Sequence, residues 1–207
     1  MEIYKKLSLF IKASIVLQIL LFTLVNKSFA AAVGLPLSTI KYGIATQAGF
    51  YRVKDPEGTT EQSFLVQPFN FIVTDWLANG SKYWAEAYYS SLAFDAEIDS
   101  VGQQVRHVGT KVGLLYNFSA TRNWHPWAGA GMDFSYSKYA KRHLINEYGF
   151  LAKRLEDRNN VNVALLLNAA AEWHVSSTWQ SGLKAEYRMP IGQNLQSMTM
   201  SVYFLFR

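Results

Sequence analysis

An all-β fold, an eight-stranded antiparallel up-and-down transmembrane β-barrel, is predicted by three observations. The last eleven residues, from Ser197, alternate in character. Met198, Met200, Val202, Phe204 and Phe206 share one parity; Ser197, Thr199, Ser201, Tyr203 and Arg207 share the other, with Leu205 the apolar exception. Successive side chains of a strand point to opposite faces, so this segment has one apolar and one polar face. The second observation is a secretory signal over the first thirty residues. The third is composition. The chain is 15% aromatic, has no cysteine, and after residue 30 has no apolar run long enough for a helical span. An exported, aromatic-rich chain without disulfides or helical spans fits a barrel that crosses a membrane with strands.

The signal has the usual three parts. Lys5 and Lys6 supply a positive start, Ala13 to Val25 an apolar core, and Ser28-Phe29-Ala30 a small-x-small cleavage pattern. Residues 1–30 are therefore expected to be a signal peptide and 31–207 the barrel domain. Ala30-Ala31-Ala32 also permits a cut two residues later. An uncleaved anchor is the weaker reading, because the run is short and Lys12 interrupts any longer version. The formal charge of +5 overstates the basicity of the mature part. Lys5, Lys6, Lys12 and Lys27 against Glu2 take +3 of it, leaving about +2, which is no nucleic-acid footprint.

Eight alternating segments follow in order. The first, about 39–53, places Ile40, Tyr42, Ile44, Ala48 and Phe50 on one face, and Asp55-Pro56-Glu57-Gly58 turns the chain. The second, about 63–77, contains Pro68, which breaks its parity and predicts a bulge. Asn79-Gly80 is a tight hairpin signal. The third, about 83–96, sets Tyr83, Ala85, Ala87 and Tyr89 against Trp84, Glu86, Tyr88 and Ser90. The fourth, about 107–118, sets Val108, Thr110, Val112, Leu114 and Tyr116 against His107, Gly109, Lys111 and Gly113. The fifth, about 126–143, the sixth, about 161–175, and the seventh, about 180–189, repeat the pattern before the C-terminal strand closes the set. The connections near 79–82, 119–123 and 176–179 are short, whereas 146–160 is long, charged and expected to be irregular. Short periplasmic turns with longer external loops are the outer-membrane arrangement. A soluble exported sandwich or lipocalin-like barrel would need the apolar faces inside and the charges outside.

Pro126-Trp127-Ala128-Gly129-Ala130-Gly131, Leu183-Lys184-Ala185-Glu186-Tyr187-Arg188 and the closing Tyr203-Phe204-Leu205-Phe206 carry a resemblance. With them the chain resembles the small eight-stranded outer-membrane barrels of the OmpA/OmpX type over nearly all of the mature sequence. The resemblance implies localisation in the cell outer membrane of a Gram-negative bacterium. It also implies recognition of the terminal strand, through Phe204 and Phe206, by the barrel-assembly machinery. Family members usually end on an aromatic residue; here Arg207 follows. No peptidoglycan-binding domain of the full-length OmpA kind is expected.

If the apolar faces meet lipid, the other faces bring Lys41, Glu86, His107, Lys111, Asp133, Glu172, His174, Lys184, Glu186 and Arg188 into one narrow lumen. An eight-stranded barrel is just wide enough to be filled by side chains, and charges there must pair. A charge network of Lys41, Glu86, Lys111, Asp133, Glu172, Lys184, Glu186 and Arg188 is the expectation. A tight turn at 177–179 would set Glu172 opposite Lys184, His174 opposite Gly182 and Trp173 opposite Leu183. Trp76, Trp84, Trp124, Trp127, Trp173 and Trp179 fall near the periplasmic turns and would form an aromatic girdle, except Trp84, whose parity points inward.

Candidate chemistry is sparse. His174-Val175-Ser176 with Glu186 superficially matches the His-x-Ser plus Glu arrangement of the lipid A 3-O-deacylase family. Ser176 falls in a periplasmic turn, however, and Glu186 lies well beyond hydrogen-bond reach of His174. His107 and His125 lack partners at metal spacing, so no metal and no cofactor are expected. Lys138, Lys141, Arg142, Lys153, Arg154 and Arg158 cluster around the long loop and are candidates to contact lipopolysaccharide phosphates. The expected role is non-enzymatic: envelope structure or surface interaction, by a monomer whose partners are outer-membrane lipid and lipopolysaccharide. A narrow channel or carrier for small hydrophobic molecules is the alternative, and a lipid A modifying hydrolase the second.

Overall fold

The computed structural model describes residues 40–55, 60–77, 80–98, 100–118, 124–176, 178–191 and 195–207. The signal segment 1–30 and the turn positions 56–58, 79, 119–123 and 192–194 lie outside the described residues. The strands are β1 (Lys41–Lys54), β2 (Thr60–Trp76), β3 (Ser81–Phe94), β4 (Gly102–Asn117), β5 (Trp124–Ile145), β6 (Leu151–Arg154), β7 (Arg158–His174), β8 (Trp179–Pro190) and β9 (Leu195–Phe206). Each barrel strand pairs antiparallel with the next, and β1 pairs with β9, so eight strands close an up-and-down barrel. Closure removes every sheet edge from the wall.

The ninth strand, β6, corrects the expectation of an irregular long loop. β5 continues past the rim and β6 folds back on it, with Leu144 opposite Lys153 and His143 opposite Arg154. The connecting turn is held by Asn146, whose side-chain oxygen accepts from the amides of Tyr148 (3.1 Å) and Phe150 (2.9 Å). Gly149 supplies the left-handed backbone that the turn needs, at φ 78°.

Two bulges re-aim the wall. Ala45 pairs with Asn70 but Gln47 with Gln67, so residues 68 and 69 together face Thr46, at the proline that predicted a bulge. Outward residues therefore change parity along β2, from Phe64 and Val66 to Phe69 and Phe71. The second bulge is at Lys141, which sits at φ 56° where the β4–β5 register shifts. Below it Ser137 and Tyr139 point inward; beyond it Arg142 does, rather than Lys141.

The two faces of the wall have opposite chemistry. Outside, Phe50, Leu114 and Met198 are 53%, 58% and 65% exposed. Inside, Lys82, Asp133 and Glu172 are 1%, 0% and 2% exposed. A barrel in water would reverse these faces, because exposed apolar area and buried charge both cost free energy there. The apolar exterior is the polarity of a wall that faces lipid.

One close approach positions the lumen. Gly182 pairs directly with Tyr203, whose ring covers it; a Cβ at 182 would lie 2.3 Å from the ring. Gly182→Ala is expected to push Tyr203 off its hydrogen bond to Glu172 and cost about 1–3 kcal/mol, the usual range for overpacking. A denaturant titration in detergent checks this; an unchanged midpoint would show that the ring can shift freely.

Candidate functional site

The lumen is filled in layers. Nearest the chain terminus, Ala45, Ile72, Trp84, Leu115, Trp127, Ala170, Tyr203 and Leu205 form an apolar cluster with Trp76 packed against it. One buried ion pair, Lys82–Glu172, is embedded there. Glu172 also accepts from Trp127 Nε1 (3.0 Å) and the Tyr203 hydroxyl (2.9 Å). Lys82 lies 4.3 Å from the Trp127 ring centroid, so the ring faces complete the lining of its ammonium. At the mouth below, Lys41 donates to Gln180 (2.7 Å), and Gln180 donates to His174 (2.5 Å).

The next layer is a ring of two lysines and two glutamates. Lys111 meets Glu186 at 2.7 Å and Glu86 at 3.2 Å. Lys184 meets Glu86 at 2.5 Å and Glu186 at 3.2 Å. Alternating signs put every charge between two opposite ones, the arrangement that offsets desolvation best. Asn70 and Trp84 donate to the remaining Glu86 lone pairs at 2.6 and 3.1 Å.

Above it, Arg188 Nε contacts Asp133 at 2.6 Å, and Tyr88 donates to both oxygens of that carboxylate at 2.9 Å. His107 Nε2 lies 2.8 Å from the Tyr88 oxygen, and His107 Nδ1 lies 2.7 Å from Ser137 Oγ. Asn162 donates to that same Ser137 oxygen at 2.7 Å. A neutral His107 protonated on Nε2, with Ser137 donating to Nδ1, fits both of its contacts. A second apolar cluster then closes the lumen: Tyr51, Val53, Leu92, Phe94, Val105, Tyr139 and Leu195. It is capped by Asp55, which accepts from Arg142 at 2.8 and 3.0 Å and lies 3.7 Å from Arg158.

The structure places each candidate as follows. Glu86, Lys111, Asp133, Glu172, Lys184, Glu186 and Arg188 all line the lumen, and Lys41 lies at its mouth. The expected Glu172–Lys184 pair is not formed. Glu172 stands opposite Gly182, and Lys184 opposite Ala170, a slip of two residues. A two-residue slip keeps every side chain on its face, so alternation cannot detect it. The turn decides: Val175 and Ser176 amides both donate to Trp179 O (3.0 and 3.1 Å), which leaves His174 paired with Gln180. Lys82, the actual partner of Glu172, was missed because the hairpin signal at Asn79-Gly80 placed it in a turn. Its parity with Trp84 and Glu86 was the available signal.

Of the basic cluster, Arg142 is buried (3% exposed) against Asp55 and Glu156 O, not displayed, because the Lys141 bulge turns it inward. Arg158 reaches the same carboxylate. Lys141, Lys153 and Arg154 are exposed, and Lys138 is half-buried on the outer wall. The aromatic girdle also needs correction. Trp124 and Trp179 are exposed and Trp173 is half-buried, but Trp127 is buried and Trp76 packs beside it in the lumen, their ring centroids 4.7 Å apart. His174, Ser176 and Glu186 do not assemble. Glu186 pairs with Asn168, six residues up the strand from His174, or about 20 Å at ~3.3 Å per residue. The Ser176 hydroxyl is engaged by its own turn.

A closed barrel with an apolar exterior, a charge-paired interior and short turns at the terminal end is a transmembrane β-barrel of the outer-membrane type. It has the fold of the small eight-stranded outer-membrane barrels that its sequence resembles. No protein-family model matches the chain, and no curated protein matches it. Among solved structures it is similar to Ail, the attachment invasion locus protein of Yersinia pestis, at 10% identity and a TM-score of 0.47, covering 80% of this chain and 97% of that one. It is similar to Neisserial surface protein A at 10% identity and a TM-score of 0.48, covering 80% and 96%. The outer membrane protein OprG from Pseudomonas aeruginosa shares 10% identity and a TM-score of 0.41, covering 79% and 92%.

Proposed function

We propose that this protein is a non-enzymatic outer-membrane barrel whose lumen is a structural core and whose interactions lie on its outer surface and long-loop end. One observation carries this reading: two apolar clusters and three sets of paired charge, one of them embedded in the first cluster, occupy the barrel interior among the described residues. A conducting pathway needs a continuous water-filled passage, and packed apolar clusters lie across the lumen at two levels. The channel reading has no observation of its own, and the hydrolase reading lacks an assembled triad. On this reading the barrel acts as a monomer, inserted by the assembly machinery through its Phe204 and Phe206 face. On the same reading Lys141, Lys153 and Arg154, all exposed, contact lipopolysaccharide phosphates.

Two measurements test it together. Purified barrel is expected to run as a heat-modifiable band on electrophoresis, and to leave planar bilayers without steady conductance. Stable single-channel steps from a heat-modifiable preparation would overturn the structural-core reading in favour of a pore.

A further inference from the structure

We propose that Arg106 and Lys138 form a clamp on the outer wall for the phosphate of an anionic outer-leaflet lipid. The inference rests on the membrane reading above and adds a site to it. Both side chains point outward, since their strand neighbours Val105, His107, Ser137 and Tyr139 are all buried in the lumen. Arg106 on β4 stands directly opposite Lys138 on β5. Like charges in directly opposed positions repel, so the pair needs an anion to be favourable.

Among the described residues the strand positions around the pair supply none, and Asp157, just before β7, accepts from the Lys141 amide at 3.2 Å. Ser91 and Asn159 flank it in the same row. The row above holds Ala93, Gln104 and Ala140, with Gln104 donating to Ser91 at 3.2 Å. The row below is Tyr89, Val108, Tyr136 and Val161, paired in sequence across four strands. No carboxylate occupies any of these positions.

That layout selects an amphiphile over a soluble anion. The cations stand at the upper margin of the apolar wall. The same margin is polar elsewhere, where Arg52 sits between Gln62 and Gln196. Directly beneath the clamp lies an apolar and aromatic strip on which an acyl chain can rest. A phosphate between the guanidinium and the ammonium would receive charge-assisted hydrogen bonds at the depth where lipid headgroups lie.

The test compares purified wild-type barrel with the Arg106→Gln/Lys138→Gln variant, each extracted from phosphatidylcholine vesicles that contain lipid A. Native mass spectrometry counts the lipid A retained. Wild type is expected to retain it, and the double variant to retain less by more than about tenfold. An Arg52→Gln variant, which removes a cation from the same margin outside the clamp, should stay within about twofold of wild type. Millimolar inorganic phosphate should not displace the lipid; full displacement would make this a free-phosphate site and overturn the lipid assignment. Undiminished retention by a heat-modifiable double variant overturns the clamp alone. A wild-type chain with no heat-modifiable band overturns the membrane reading beneath it.

Discussion

Glu86→Ala is expected to lower the unfolding free energy of the barrel by about 3–5 kcal/mol, the range found when one partner of a buried ion pair is removed. Glu86 holds two ammonium groups at once, Lys111 and Lys184, and accepts from Asn70 and Trp84 besides. Its loss leaves two buried cations facing one carboxylate, Glu186. The sharper result is the second step. Glu86→Ala with Lys184→Ala leaves Lys111 and Glu186 matched one to one, so the double variant should be more stable than Glu86→Ala alone. Urea titrations of folded barrel in detergent measure both. A single-variant loss below about 1 kcal/mol, in the range of exposed pairs, would mean that water reaches this ring.

The second large effect falls at the terminal end. Glu172→Ala strands Lys82 between Trp84 and Trp127, and also frees the Trp127 and Tyr203 donors, so a loss of about 3–5 kcal/mol is expected again. A double-mutant cycle with Lys82→Ala should show a coupling above about 1 kcal/mol, because the two charges touch. The cycle with Lys184→Ala should show a clearly smaller coupling, because Lys184 is held by Glu86 and Glu186. The reverse order would restore the register in which Glu172 faces Lys184.

Much of this architecture is legible in particular residues. Met198 to Phe206 shows its two faces without help, because alternation is a property of one strand. Pro68 marks its bulge because a missing amide cannot serve a continuous ladder. The Lys141 bulge has no such mark, and so Arg142 reads as a surface cation although it closes the lumen over Asp55. Trp127 illustrates a different failure. Its inward parity is written in the flanking Ala128 and Ala130, yet its size and place near a turn favour an interfacial reading. The clamp candidate Arg106 stands alone in the sequence, and only the β4–β5 register sets it beside Lys138.

By itself, the sequence determined an eight-stranded wall with an apolar side and a charged side, because that information has a period of two residues and repeats within each strand. Which charge meets which was decided only by the tertiary structure. Lys82 and Glu172 are 90 residues apart, Asp55 and Arg142 87, and Lys111 and Glu186 75. A slip of two residues in any hairpin preserves both faces while exchanging every partner across the lumen. The turns, the bulges and the room beside Gly182 choose among those slips, and the closed barrel then makes the choice common to all eight strands.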